Sequence, residues 1–248
     1  DVNAGLMVIS PNKKEYDEKG FIVIRGLFEK VQIDQTLELL KKYVEKKNTN
    51  KKKENLNFLN SKQLNSIHSI DNFSEIKKLR RNKSLKKIVS LLIGNNPIEF
   101  GSEAFLKPAK IGLASPPHQD NFYWCLNNPN ALTVWIALED SNKNNGSIYY
   151  YSKSHKMGLL EHEPSFQLGS SQKIKYEGSM KFFKKISTKL KPGDCLIHHS
   201  LSVHGSSQNK SSKSRVGLTL RYRDKNGDFD IYRQKLYKQQ LKDQINQR

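Results

Sequence analysis

The chain has 248 residues, which suits one large domain or two small ones. Its 43 Lys and Arg against 24 Asp and Glu give a formal net charge of +19, and 35% of its residues belong to the hydrophobic set. Two Cys exclude a disulfide scaffold, and 8 Pro with 14 Gly exclude a collagen-like chain. No apolar run approaches the roughly 18 residues of a membrane span. Residues 1–11 carry no basic segment before an apolar one, so we expect no signal peptide and a cytoplasmic protein.

The positive charge raises the question of nucleic acid. Seven lysines lie between Lys41 and Lys53, but Glu45 lies among them and only Tyr43 offers a ring for base stacking. The remaining excess is spread along the chain. We therefore interpret the charge as compositional and expect no nucleic-acid partner, with a polyanion-binding surface as the alternative. Long-range attraction of an anionic substrate is compatible with either interpretation.

The first part of the chain, to about residue 96, is predicted to be mostly helical. In chain order we expect a buried strand at Phe21–Ile24, a helix at Glu29–Lys47 with apolar residues at helical spacing, a polar loop at Asn48–Asn60, and a helix at Ser84–Ile93 ended by Gly94.

From about residue 97 the pattern changes to short strands rich in β-branched or aromatic residues. The predicted strands are Ile98–Leu106, Ala131–Leu138, Ser147–Tyr151, Cys195–His199, Ser202–Gly205 and Val216–Tyr222, followed by a closing helix at Asp230–Gln247. Turn signals at Asn144–Gly146 and Lys191–Asp194 separate some of them. The sequence thus predicts one domain over 1–248, with a helical part at about 1–96, a β core at about 97–223 and a helix at about 230–247. The fold class is mainly β with flanking helices (α+β), around a barrel or jelly-roll core.

The triplet His118-Gln119-Asp120 is the strongest local signal for chemistry. Residues i and i+2 of a strand point to the same face, so an imidazole and a carboxylate are expected to meet. Taken alone, such a triplet is common, and a hydrogen-bonded pair on a barrel strand is the alternative.

A second cluster contains His198, His199 and His204. One of these with His118 and Asp120 makes two imidazoles and one carboxylate, the facial triad typical of non-haem Fe(II) oxygenases. Three coordination positions then remain for a bidentate cosubstrate and for dioxygen. His198 and His199 face opposite sides of a strand, and we interpret both as structural or as supports of the metal ligands. Two further histidines, His155 and His162, lie in a polar stretch and are expected in solvent.

Arg215 is the third signal, because a guanidinium grips a carboxylate in a two-pronged geometry that Lys cannot match. Ser206 lies two residues after the last histidine of the cluster, and its hydroxyl is a candidate donor to the same carboxylate. Gly217 shares a strand face with Arg215 and is expected to leave room for a ligand. Arg221 lies on the order of 20 Å further along the strand, too far to share one small carboxylate, and is interpreted as structural.

Taken together, these residues resemble the phytanoyl-CoA dioxygenase family of Fe(II)/2-oxoglutarate-dependent oxygenases. Further matching pieces occur in the same order between Asn12 and Tyr222: Gly20–Gly26, His118–Trp124, Leu132–Leu138, Asn145-Gly146, Ser154–Lys156 and Lys191–Asp194. The chain departs from the family at Ser152-Lys153-Ser154, where members often have Pro-Gly-Ser. That departure bears on the local turn and the adjoining pocket wall.

The resemblance implies a double-stranded β-helix fold with Fe(II) held by His118, Asp120 and His204. It implies 2-oxoglutarate on the iron, with its far carboxylate on Arg215 and Ser206, and O2 as the oxidant. Lys107 and Trp135 stand where members often place cosubstrate-contacting groups. Because Asp120 is present, the resemblance points to hydroxylation, in contrast to relatives that halogenate and lack the metal carboxylate.

The prime substrate is expected to contact four segments around the open face: Asn55–Ser74, Ala109–Ser115, Asn121–Trp124 and Tyr151–Gln172. These segments have few apolar residues, which favours a small polar or anionic metabolite over a long acyl chain. Two other functions remain open. One is a nucleic-acid demethylase of the same superfamily, suggested by the charge and by the paired Arg215 and Arg221. The other is a non-catalytic barrel that binds a metal or a ligand.

Overall fold

The computed structural model describes residues 13–48, 55–60, 63–94 and 96–247. The helices are α1 (Lys13–Lys19), α2 (Lys30–Asn48), α3 (Ser74–Arg80), α4 (Lys83–Ile93), α5 (Asp120–Trp124) and α6 (Ile231–Asn246). The strands are β1 (Phe21–Ile24), β2 (Leu56–Phe58), β3 (Leu64–Ile67), β4 (Ile98–Lys107), β5 (Ser115–His118), β6 (Ala131–Ala137), β7 (Ile148–Tyr151), β8 (His162–Gln167), β9 (Ser170–Ile174), β10 (Lys185–Ser187), β11 (Cys195–His199), β12 (His204–Ser206) and β13 (Arg215–Arg223). None of the helices in these ranges is both long and apolar enough to cross a membrane.

Two antiparallel sheets form the centre of the fold. The larger has the strand order β1-β11-β6-β13-β4-β3-β2, the smaller has the order β10-β7-β12-β5, and β8 pairs with β9 in a separate hairpin. The expected fold class, mainly β with flanking helices around a double-stranded β-helix, is confirmed.

Strand β6 shows how the larger sheet divides the molecule into two layers, because all seven of its residues are buried. Leu132, Val134 and Ile136 pack with the helices on one side of the sheet. Trp135 and Ala137 pack on the other side with residues of the smaller sheet. Each fully buried aliphatic side chain contributes roughly 1.5–3 kcal/mol. A polar side chain on the inner face must find partners, and the inner faces of these strands carry the candidate site.

Helix α4 forms as its sequence predicts. Leu85, Ile88, Val89 and Leu92 are buried at the spacing of one helical face. The Asn82 side chain caps the first turn by accepting from the Leu85 amide. The helix ends at Gly94, whose φ of 109° lies where side chains are disfavoured, as the sequence predicted.

The prediction of a polar loop at 48–60 is wrong for its second half. Leu56–Phe58 forms the edge strand β2, in which Leu56 is buried and Phe58 is exposed, while residues 49–54 lie outside the described ranges. The element is too short for its apolar residues to form a pattern. The predicted strand Ser202–Gly205 is displaced to His204–Ser206, because Ser202 donates its hydroxyl to Gly20 O and leaves the ladder.

The turn at Ser152-Lys153-Ser154 keeps a glycine-like backbone without a glycine. Lys153 has a φ of 71°, which costs roughly 1–2 kcal/mol for a residue with a Cβ. Its amide donates to Lys19 O, and its ammonium forms an ion pair with Glu18. These contacts offset part of that cost, so the departure from the family pattern does not abolish the turn.

Candidate active site

A cavity of about 570 Å³ lies between the two sheets. Inward-facing residues of β4, β6, β12 and β13 line it, together with residues of the β8–β9 hairpin and of α6. All seven predicted site residues reach this cavity: His118, Asp120, His204, Arg215, Ser206, Trp135 and Lys107.

The expectation that His118 and Asp120 share a strand is wrong for Asp120. His118 ends β5 and lies opposite His204, its partner at the start of β12. Gln119 is still extended, with φ −117° and ψ 133°, and the chain becomes helical at Asp120. The carboxylate therefore points at the imidazoles from the first turn of α5.

Gln119 fixes this change of direction and was not predicted to do so. Its side-chain amide donates to Gly158 O and Leu201 O and accepts from the Leu160 amide. Its backbone N–H donates to Nε2 of His162 at 3.0 Å.

His162 is therefore not in solvent, contrary to expectation. The ring stacks on Phe122 with centroids 4.2 Å apart, and burial lowers its pKa to about 4, which keeps it a neutral acceptor. His155 is also partly buried, with Nε2 2.8 Å from Asp17 O.

The two imidazoles of the triad have fixed tautomers. Nδ1 of His118 is 2.9 Å from Pro116 O, and Nδ1 of His204 is 2.9 Å from Ser202 O. Both Nδ1 atoms therefore donate, and both Nε2 lone pairs point at Oδ1 of Asp120, at 3.6 and 3.5 Å. Three electron-rich atoms that face one another without a proton between them repel, and a cation among them removes that repulsion. The ligand atoms all lie within 4.8 Å of one another, which fits one metal ion.

The protonation states suit a metal as well. Burial lowers the pKa of His204 well below its usual value, so its imidazole is neutral. Burial alone would raise the pKa of Asp120, but the surrounding histidines, His204 foremost, hold it well below its usual value. Neutral imidazoles and an ionised carboxylate are the states that bind a divalent metal.

Two buried basic side chains, Arg215 and Lys107, lie side by side on β13 and β4, where they are register partners. Arg215 donates from Nη1 to Gly146 O at 2.9 Å, and its buried Nε has no partner among the described residues. Lys107 donates to Ser207 O at 2.5 Å. Burial, with the neighbouring Arg215, lowers the pKa of Lys107 to about 6, and burial lowers that of Arg215 to about 10. Such a pair is a site for an anion.

The expectation that Gly217 leaves room for a ligand is wrong. A Cβ at this position would lie 1.9 Å from Cζ2 of Trp135, so the indole ring fills the space. The same ring lies 5.1 Å from Cζ of Arg215, within cation–π range. Gly217 thus admits Trp135, and Trp135 orients the guanidinium. Ser206 lies on β12 two residues beyond His204 and is buried at the cavity wall.

The far side of the cavity holds an ion pair that the sequence did not predict. Glu103 of β4 accepts from Nη2 of Arg221 at 2.5 Å and from Nδ1 of His68 at 3.1 Å, both at Oε1. His68 is itself held by Asn57 and Ser66 at Nε2. Arg221 is structural, as expected, but it also lines the cavity. The pair depends on the register of β4 with β13, which no local motif reveals.

Glu103 is expected to make folding sensitive to acid. Burial would raise its pKa, but Arg221 and His68 lower it from 4.5 to about 2. A carboxylate with a depressed pKa contributes stability above pH 4.5 that is lost as the pH falls towards 2, amounting to about 3 kcal/mol. We expect Glu103→Gln to be less stable than the wild type at pH 7 and to show a flatter dependence between pH 4.5 and 2, measured by urea unfolding. Equal slopes for both proteins would contradict the ion pair.

Helix α6 forms one wall of the cavity. Tyr237, Leu241 and Ile245 reach it at i, i+4 and i+8, a spacing that the sequence displays. The helix buries little of its surface against the rest of the protein: Ile245 remains 59% exposed, and the buried residue of the helix is Gln244. Tyr237 meets Ser171 of the hairpin at 3.2 Å between hydroxyl oxygens.

Each segment predicted to contact substrate supplies cavity residues, among them Asn57, Leu113, Tyr123 and Gln167. The segments are not all loops, because β2, β3, β8 and part of β9 lie within them. The two cysteines, Cys125 and Cys195, are free and buried.

The arrangement of the two sheets is shared by a class of solved structures, the non-haem, 2-oxoglutarate-dependent enzymes. The crystal structure of EctD from S. alaskensis with 2-oxoglutarate and 5-hydroxyectoine superimposes with a TM-score of 0.74 at 18% identity, covering 89% of this chain and 78% of that one.

Within that class, the chain belongs to the phytanoyl-CoA dioxygenase family, whose sequence model matches residues 16–217. Phytanoyl-CoA dioxygenase 1 of Oryza sativa subsp. japonica is 28% identical over 163 residues, 65% of this chain. The peroxisomal phytanoyl-CoA dioxygenase of Bos taurus is 25% identical over 232 residues, 86% of this chain. These matches span 57% of the rice protein and 68% of the bovine one.

Proposed function

We propose that the protein is an Fe(II)- and 2-oxoglutarate-dependent dioxygenase that hydroxylates an unactivated C–H bond of a small polar metabolite. The observation that carries the proposal is the pair of buried basic side chains, Arg215 and Lys107, in the same cavity as two imidazoles and a carboxylate aimed at one point. A metal site alone does not need such a pair, whereas a dicarboxylate anchored on that metal does.

In this proposal His118, Asp120 and His204 hold Fe(II) through Nε2, Oδ1 and Nε2. Arg215 and Ser206 hold the far carboxylate of 2-oxoglutarate, Lys107 adds charge, and Trp135 keeps the guanidinium in place. With O2, the bound iron and 2-oxoglutarate supply the oxidation, which releases succinate and CO2 and inserts one oxygen atom into the C–H bond. The chain's own residues bind, orient and exclude water, since the metal-facing atoms lie on buried or partly buried side chains.

The substrate side of the cavity supports a polar substrate. Glu103 has one carboxylate oxygen engaged by Arg221 and His68, and its other oxygen is available for a substrate hydroxyl or amine. A volume of about 570 Å³ must hold both 2-oxoglutarate and the substrate. Single drug-sized ligands occupy pockets of roughly 300–1,000 Å³. A compact substrate therefore fits better than the long acyl-CoA thioester in the names of the relatives.

We also propose that residues 1–248 work as one domain, because the cavity draws its lining from Asn57 through Ile245. The nucleic-acid alternative loses part of its motivation: Arg221, the second arginine of the pair, is bound to Glu103 and does not offer a free guanidinium to a phosphate.

The deciding experiment is an anaerobic Fe(II) titration with and without 2-oxoglutarate, followed by visible absorbance. We expect a metal-to-ligand charge-transfer band that requires both components. Small polar metabolites are then screened for faster succinate release once O2 is admitted. Bound metal without such a band would favour the non-catalytic barrel, in which case zinc is tested first.

The affinity for 2-oxoglutarate is expected to fall as the pH rises above 6. Lys107 has a pKa of about 6 in the free protein, so it is mostly neutral at pH 7–8. A bound carboxylate favours the ammonium form, so binding takes up a proton, and the affinity falls by up to about tenfold per pH unit. Titration of the charge-transfer band at saturating Fe(II) between pH 6.5 and 8.5 measures this dependence. Lys107→Met is the control and should flatten it; a wild-type affinity that does not change with pH would refute the role of Lys107.

A further inference from the structure

Three imidazoles surround Asp120, although the triad uses two. The His198 ring centroid lies 4.2 Å from that of His204, closer than the 4.4 Å between His118 and His204. His198 is 1% exposed, and its Nε2 lies 2.9 Å from Oδ2 of Asp120. An imidazole in this position is itself a good ligand for Fe(II). His198 is nevertheless not one of the residues that could hold the metal ion.

Both ring nitrogens of His198 are engaged in hydrogen bonds. An ionised carboxylate only accepts, so Nε2 carries a proton and donates it to Oδ2. Tyr150 places its hydroxyl 2.7 Å from Nδ1, the other ring nitrogen. Its own ring is fully buried and stacks on Phe21 with centroids 4.2 Å apart, so the hydroxyl has a fixed position. The carboxylate thus keeps a proton on Nε2, which leaves Nε2 no free lone pair for a metal, and the phenol holds the other ring nitrogen.

Thr133 completes the arrangement on Asp120. Its hydroxyl donates to the same Oδ2 at 2.7 Å, so that oxygen receives two hydrogen bonds. Only Oδ1 remains for the cluster of Nε2 atoms. The carboxylate is thereby directed to bind through one oxygen.

We propose that His198 is a positioning residue: Tyr150 holds its imidazole in place, and with Thr133 the imidazole holds Asp120 as a ligand through Oδ1 alone. This rests on the proposed metal site. Tyr150 acts through His198: its hydroxyl holds the imidazole that donates to Oδ2, so removal of the phenol weakens the hold on Asp120 but leaves the Nε2–H donor.

The first test measures Co(II) affinity by absorbance titration of the full chain. We expect His198→Leu to bind Co(II) roughly 10–100-fold more weakly than the wild type, the usual loss for an outer-sphere partner of a metal ligand. His198→Gln, which keeps an N–H donor, should recover part of the loss. His199→Leu is the matched control, because this neighbour faces away and accepts from the Leu201 amide; it should bind as the wild type does. Thermal unfolding of each variant establishes that it is folded.

The second test adds Tyr150→Phe to complete a double-mutant cycle of Co(II) affinities. We expect Tyr150→Phe to weaken Co(II) binding by less than His198→Leu does, because its imidazole keeps the hydrogen bond to Oδ2 but loses the phenol that holds it. The double variant should bind Co(II) no more weakly than His198→Leu alone, because the phenol acts through the imidazole. A purely structural role of Tyr150 predicts losses that add.

The inference is overturned if His198→Leu binds Co(II) as tightly as the wild type, or if the losses of Tyr150→Phe and His198→Leu add. Failure of the proposed function looks different: the wild type would bind Co(II) and show no band with Fe(II) and 2-oxoglutarate. The affinities of His198→Leu and His198→Gln would still decide on His198 in that case. A wild type that binds no Co(II) would overturn both.

Discussion

His204→Ala is expected to abolish succinate formation and to weaken Fe(II) binding by about 10²–10³-fold. Four ligands of a structural zinc site together contribute about 10–16 kcal/mol, so one ligand accounts for about 2.5–4 kcal/mol, or roughly 10²–10³-fold in affinity. The variant leaves one imidazole and one carboxylate, whose Nε2 and Oδ1 atoms lie 3.6 Å apart in the wild type. Equivalent losses are expected for His118→Ala and Asp120→Ala.

Metal affinity is measured by anaerobic titration, and turnover by succinate release. His155→Ala is the control, because this partly buried histidine contacts Asp17 O and lies outside the cavity lining. Full turnover by any of the three triad variants would disprove the ligand assignment.

Arg215→Ala is expected to raise the concentration of 2-oxoglutarate needed for half-saturation by about 10²-fold. Charge-assisted hydrogen bonds contribute about 1.5–3 kcal/mol each, and a two-pronged contact with a carboxylate uses two of them. Lys107 remains in the variant, so some affinity for the anion is retained. Metal binding should change little, because Arg215 is not one of the residues that could hold a metal ion.

The matched control is Arg223→Ala on the same strand. Arg223 donates to Asp224 O and Gly227 O and does not line the cavity. An Arg215→Ala protein with the wild-type requirement for 2-oxoglutarate would refute the clamp, and an equal loss in Arg223→Ala would show that the effect is not specific to the cavity.

Several buried strands of the fold were predictable from the sequence because most of their residues are β-branched or apolar. Phe21–Ile24 and Cys195–His199 match the prediction residue for residue, and α4 and α6 match within one residue at either end. The hairpin β8–β9 was not predicted, since its polar residues resemble a loop. It is stabilised by contacts between strands and not by a local preference.

The residues of the candidate site likewise fall into those that the sequence predicted and those that it did not. The triad and Arg215 stand in local motifs whose side chains suit one chemistry, so the sequence alone brings them together. Gln119 and the pair Glu103–Arg221 depend on contacts between distant segments, which a single sequence does not display. Gly217 was misinterpreted because the space beside it is filled by Trp135 from the neighbouring strand.

The contact between Gly217 and Trp135 also limits how this cavity is able to change over evolutionary time. Any side chain at position 217 displaces the indole ring, and with it the surface against which the Arg215 guanidinium lies. Residues 217 and 135 can therefore be substituted in only one order. A smaller residue must replace Trp135 before a larger one is tolerated at position 217. Lineages that reshape this end of the cavity are therefore expected to pass through an intermediate with lower affinity for the anion.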